Sequence, residues 1–277
     1  MNDGASGTAD SLHAAAYRCL MAATVEAKLT ATRTVSSAWR AGELSLVAAD
    51  ASAIVRIELP GRPATPRLVP PRNLPHRGLG SPKGRAALLH AVAHIEFNAI
   101  DLAWDAVYRF RDLPRAYYDD WIAVAEDEAR HFGLLSRRLA DYGCAYGDFD
   151  AHNGLWEMAI KTDDSCLARM ALVPRVLEAR GLDVTPGMIV RLRAVGDVDS
   201  VDVLATILRE EVAHVAAGSR WFAWCCAQSN VDPAPTFEAL LLLHAAGAVK
   251  GPINREARVA AGFSDDELVR LERMAVA

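Results

Sequence analysis

The chain has 277 residues, of which 52% are hydrophobic and 23% charged, with a net charge of -5 at neutral pH and a pI near 5.9. This is enough apolar material for one large or two ordinary globular domains. The mildly acidic balance lacks the basic stripe that neutralises phosphates and does not favour nucleic acid, and five cysteines without a CxxC pair suggest neither a disulfide framework nor a thiolate zinc site.

The N-terminal stretch carries acidic residues where a signal peptide places basic ones, and Arg18 and Glu26 interrupt its apolar run. No segment reaches the ~18 apolar residues of a membrane span, so a cytoplasmic location is the default expectation. Residues 11–41 read as one amphipathic helix with Leu12, Ala16, Cys19, Leu20 and Ala23 on one face, ending near Gly42. AIVRIEL, residues 53–59, is a candidate for a short strand. Seven of the thirteen prolines fall between Pro60 and Pro82, where repeated loss of the backbone donor forbids long helix and central strand, so an extended surface connector is predicted. Ser81 as N-cap with Pro82 at the first helical position then opens a helix to about Arg111. Further helices are predicted at about 114–142 and 163–180, where Gly181 suits a stop. After a GLDVTPG turn come a short helix near 188–195, a long one at about 200–228, and two or three short helices in 233–277.

The predicted fold is all-α: a four-helix bundle at 81–230, residues 1–80 supplying an N-terminal helix and connector packed on it, and a C-terminal helical extension at 231–277. Chemistry enters through acids on apolar helix faces, because a buried carboxylate is costly unless a cation or hydrogen-bond network meets it. Glu96 has Leu89, Val92, Ala93, Ala99, Ile100 and Ala103 at helical offsets. Glu128 lies among Trp121, Val124, Ala125, Phe132 and Leu135, with His131 one turn on, while Glu126 should meet solvent. Glu211 shares a face with Leu204, Ile207, Leu208 and Val215, and His214 again follows at the third position.

Two Glu-x-x-His pairs on separate helices, each preceded by a helix with one inward Glu, form the ligand set of the ferritin-like di-iron and di-manganese carboxylate proteins. Glu96 precedes Glu128 by 32 residues and Glu178 precedes Glu211 by 33, and this repeated interval selects Glu178, whose own face is less cleanly apolar. The predicted metal ligands are therefore Glu96, Glu128, His131, Glu178, Glu211 and His214, suited to two iron ions, with manganese or a mixed pair fitting the same donors. Asp202, Asp101 and Arg130 are candidates for orienting the histidines. His90 and His94 share a face, but His94 is rotated about 200° from Glu96 on an ideal helix, so a hydrogen-bonding role is expected for both.

At HAVAHIEFNAIDLAWDAVYRF, DWIAVAEDEARHFGLL, ALVPRVLEARGLD and ILREEVAHVAAGSRWF, which contain all six residues, the sequence resembles an uncharacterised bacterial family of ferritin-like proteins, the domain of unknown function numbered 455. The resemblance extends over most of the chain. It implies a ferritin-like fold with a metal site and supports Glu178. A more distant likeness is to the tRNA-modifying di-iron hydroxylases, which share the E, ExxH, E, ExxH order. The expected function is a di-iron oxidoreductase that activates O2 to oxidise or hydroxylate an organic substrate, as a monomer or dimer, with an electron donor if it is a monooxygenase. A ferroxidase and an RNA-modifying hydroxylase are the alternatives, the latter drawing on Arg62, Arg67, Arg72 and Arg77 of the connector.

Overall fold

The computed structural model describes residues 10–46, 53–75, 77–245, 247 and 249–276. The first nine residues, part of the stretch read above for a leader, lie outside them. The fold is all-α. The helices are α1 Leu12–Leu20, α2 Val25–Arg40, α3 Pro82–Arg109, α4 Arg115–Asp141, α5 Gly154–Lys161, α6 Cys166–Leu172, a π turn Val173–Glu178, α7 Ala179–Ala194, α8 Val198–Ser229, α9 Pro233–His244, α10 Arg255–Ala260 and α11 Asp265–Val276. Among the described residues, extended pairing is limited to β1 Asp10–Ser11 beside β2 Leu44–Ser45 and a bridge from Leu68 to Ala151. Among them, too, no helix is long and apolar enough to cross a membrane. The chain divides into two compact units, Met1–Ala64 with Glu96–Arg130, and Thr65–Ile95 with His131–Ala277, so α3 and α4 each contribute to both.

In the first unit, the single helix predicted over 11–41 is two. The Thr24 side chain accepts from the Ala27 N–H, 3.1 Å away, as the N-cap of α2, and the chain turns between Leu20 and Val25. Lys28, 0% exposed, reaches back across this turn. Its ammonium donates to the Leu20 carbonyl (2.9 Å) and the Cys19 carbonyl (3.3 Å), the open end of α1, and pairs with Asp101 of α3. Thr32 accepts from Trp104 Nε1 (2.9 Å), and Asp119 from Trp39 Nε1 (2.7 Å), so α2 lies against both long helices. Residues 53–59 form no strand; the Val55 N–H donates to the Tyr108 hydroxyl (2.9 Å) and the backbone makes no ladder there.

In the second unit, the connector is pinned rather than loose. Val69 N–H donates to the Ala151 carbonyl, Ala151 N–H to the Arg67 carbonyl, and Arg67 pairs with Asp150 at 2.6 Å. Helix α8 packs against α6, the π turn and α7. The helix stop expected at Gly181 does not occur, and α7 runs through Gly181 and Pro186 to Ala194. Pro186 has no N–H to give the Leu182 carbonyl, and Asn254 Nδ2 supplies that bond instead (3.1 Å), which lets the helix tolerate the proline. Among the described residues of 233–277 there are three helices, α9, α10 and α11, where two or three were expected.

Candidate metal centre

Glu128 and His131 occupy one face of α4, and Glu211 and His214 one face of α8, because residues three apart lie a turn from each other. Of the apolar residues read on those faces, Trp121, Val124, Ala125, Phe132 and Leu135, then Leu204, Ile207 and Val215, are buried, while Leu208 is only half-buried. Four of the predicted ligands come together. Glu128, His131, Glu211 and His214 each offer one donor atom, these atoms lie within 4.8 Å of one another, and all four side chains are buried. Glu211 Oε1 stands 3.3 Å from His214 Nδ1 and 3.6 Å from His131 Nδ1. Two donors about 2.1 Å from one ion and at right angles would be about 3 Å apart, so the spacing suits a shared cation. Two carboxylates and two imidazoles with no thiolate among them are a donor set that could hold a metal ion.

Glu96 and Glu178 are both buried but fall outside this grouping of four. Their helix registers are informative. Glu96 lies as far before the end of α3 as Glu128 lies after the start of α4, and the Tyr117 hydroxyl donating to the Ala106 carbonyl (3.4 Å) fits that antiparallel register. Glu178 lies as far before the end of α7 as His214 lies after the start of α8. The less apolar face read for Glu178 now has a cause: it closes a π turn, whose extra residue per turn shifts the phase of everything beyond Pro174 relative to an α-helix.

Of the residues considered for orienting the histidines, Asp101 pairs with Lys28, Arg130 with Asp127, and Asp202 is exposed. The residue in that position is Glu210. His131 Nε2 donates to Glu210 Oε2 at 2.7 Å, which leaves the Nδ1 lone pair facing Glu211. Sequence reading passed over Glu210 because it neighbours Glu211 and points off the apolar face; its partner is on another helix. Glu210→Ala is expected to weaken metal binding about 10–100-fold in equilibrium dialysis. The melting midpoint of the metal-free protein should change little, since Glu210 is partly exposed.

His90 and His94 take the hydrogen-bonding role expected. His94 Nε2 donates to the His152 carbonyl (3.1 Å), so its Nδ1 accepts from the Tyr146 hydroxyl (2.8 Å); His90 Nε2 accepts from the Gly147 N–H (2.9 Å). Burial pushes the His90 pKa down to about 4. The unfolded chain binds a proton near pH 6.5 that the folded protein refuses, so this contribution is complete above 6.5 and lost as pH falls toward 4. In urea unfolding of metal-free protein, the wild type should lose about 3 kcal/mol more than His90→Gln over that interval.

A family model described as "Protein of unknown function (DUF455)" matches residues 21–269. The chain belongs to that family. This DUF455 chain is also 44% identical over 213 residues to an "Uncharacterized protein" of Haemophilus influenzae, covering 74% of each. No solved structure matches it. The matched region includes all six predicted ligands.

Proposed function

We propose that this chain is a ferritin-like di-metal carboxylate oxidoreductase, with two iron ions as the resident pair, that activates O2 to oxidise or hydroxylate an organic substrate. The observation that carries this reading is the buried convergence of Glu128, His131, Glu211 and His214 from two helices. In this reading Glu96 and Glu178, both buried, complete the set, which their matching offsets from the helix ends support. Iron held there would supply electrons to O2, with carboxylates offsetting the charge. The protein's own part is to hold the six donors, to fix the His131 tautomer through Glu210, and to keep bulk water out with the apolar residues beside each ligand. A monooxygenase would need an external electron donor.

An RNA-modifying activity would depend on the connector arginines Arg62, Arg67, Arg72 and Arg77. Arg67 is held by Asp150, and Arg77 stacks on Phe149 with its guanidinium 5.2 Å from the ring, so connector arginines on which that reading depends are engaged within the chain. The oxidase reading is favoured.

Purified protein loaded anaerobically with iron(II) is expected to retain close to two ions per chain by elemental analysis and to consume O2 without building an iron core. Progressive accumulation of iron in a large shell would instead make the protein a ferroxidase. Failure to bind iron or manganese under both aerobic and anaerobic loading would overturn the metal reading altogether.

A further inference from the structure

Arg175 is 1% exposed inside the π turn, three residues before Glu178. A buried guanidinium is costly and is kept where its surroundings repay it. Here Nη2 donates to Glu267 Oε1 of α11 (2.8 Å) and Nε to Ser219 Oγ of α8 (3.1 Å). The guanidinium carbon lies 4.7, 4.4 and 4.3 Å from the ring centroids of Phe222, Phe237 and Phe263, contributed by α8, α9 and the turn between α10 and α11. Glu267 is itself held by a capping box: its Oε2 accepts from the Ser264 N–H (2.8 Å), while its own N–H donates to Ser264 Oγ. One carboxylate oxygen starts α11 and the other is aimed at Arg175.

The backbone is gripped as well. Arg258 of α10 donates from Nη1 to the Arg175 carbonyl (3.3 Å) and binds both oxygens of Asp183 in α7 (2.7 and 3.0 Å). On the opposite side, α8 presents Gly218 to Pro174; a Cβ at Gly218 would lie 2.3 Å from Pro174 Cγ, so only glycine lets the π turn approach this closely. Glu178 lies between the two gripped points, Arg175 and Asp183. Moving one turn from the Gly218–Pro174 contact along each antiparallel helix brings Glu178 level with His214.

A π turn is less favourable than the α-helix it interrupts and will revert unless its surroundings hold it. Reversion would rotate Glu178 by about one residue's share of a turn, about 100°, and carry its carboxylate off the α8 face. We propose that Arg175 is a positioning residue for the metal centre: clamped by Glu267, Arg258 and the three phenylalanines, it holds the π register that presents Glu178 as a ligand. This inference rests on the di-metal reading. It gives the C-terminal helices α9–α11 a task, that of setting one ligand of a site they do not line.

The test uses full-length protein loaded with cobalt(II), whose visible absorption reports ligand geometry. Stoichiometry is followed by equilibrium dialysis in wild type, Arg175→Met, Glu267→Gln, Glu178→Ala and the Arg175→Met/Glu178→Ala pair. Arg175→Met is expected to weaken the second cobalt at least 10-fold and to shift the spectrum toward that of Glu178→Ala. Adding Arg175→Met to Glu178→Ala should then change cobalt affinity no further, because the residue acts through the carboxylate already removed. Glu267→Gln keeps the cage and should give the same change in weaker form, and it serves as the reporter if Arg175→Met does not fold, with far-UV circular dichroism deciding that point. Wild-type stoichiometry and spectrum in both Arg175→Met and Glu267→Gln, or losses that simply add in the Arg175→Met/Glu178→Ala pair, would overturn the clamp and leave the metal reading intact. A wild-type protein that binds no cobalt would overturn both.

Discussion

Replacing Glu128 and Glu211 together by alanine is expected to abolish iron binding while leaving far-UV circular dichroism unchanged. Each of these carboxylates is buried on a helix face whose other members, apart from His131 and His214, are apolar. Without a cation, such groups contribute desolvation cost and mutual repulsion to the folded state, so their removal should raise the melting midpoint of metal-free protein or leave it unchanged. Single replacements should weaken binding by more than the 10–100-fold expected at Glu210, because they remove a donor and not its support. Dialysis against iron(II) followed by elemental analysis reads the first effect, and calorimetry without metal reads the second. Retention of two ions by the double variant would show that the convergence of these side chains serves some other purpose.

The second large effect is on stability. Lys28→Met is expected to destabilise the protein by about 3–5 kcal/mol, because it leaves Asp101 buried without its cation and strips the last carbonyls of α1 of their donor. For a chain of this size that is a fall in melting midpoint on the order of 10 °C. The pH dependence has a definite sign. Burial already pushes the Asp101 carboxyl up to about 7, against the pull of Lys28. A raised carboxyl pKa means stability that is complete below the unfolded value near 4 and is lost as pH rises through the folded value. In the wild type that loss is complete once pH passes about 7. With Lys28 gone the folded pKa rises further, so the loss continues above 7 and the deficit of the variant widens toward alkaline pH. The double variant Lys28→Met/Asp101→Leu should recover most of the stability, since an apolar pair of similar volume replaces a buried ion pair at little cost. Thermal unfolding of the three proteins at pH 5, 7 and 9 distinguishes this from a simple packing defect, which would be independent of pH.

Much of the fold was legible from periodicity and punctuation. The Ser81–Pro82 start of α3, the extents of α4 and α8, the proline connector and the short helical character of the C-terminal region follow from signals carried within a few residues of each boundary. The four converging side chains were legible for a related reason: a glutamate and a histidine three apart share a helix face whatever that helix later meets, and a carboxylate among apolar neighbours is conspicuous. Errors arose where a local signal was outweighed from a distance. Gly181 and Pro186 read as a helix end, but Asn254, about seventy positions further on, satisfies the carbonyl that the proline leaves open. Residues 11–41 read as one helix because the apolar spacing continues through the break, whereas Thr24 caps a second helix and Lys28 ties the turn to Asp101.

What the sequence by itself determined is therefore most of the helices, the two Glu-x-x-His pairs and the matched intervals from Glu96 and Glu178, because these depend on dihedral preference, capping and spacing along one chain. What only the tertiary structure decided is which buried charge meets which partner: His131 with Glu210, Lys28 with Asp101, and Arg175 with Glu267 inside a cage of three phenylalanines. The π turn before Glu178 belongs with these. Its backbone is less favourable than the α-helix around it, and it persists through contacts from α8 to α11 that no window of neighbouring residues contains.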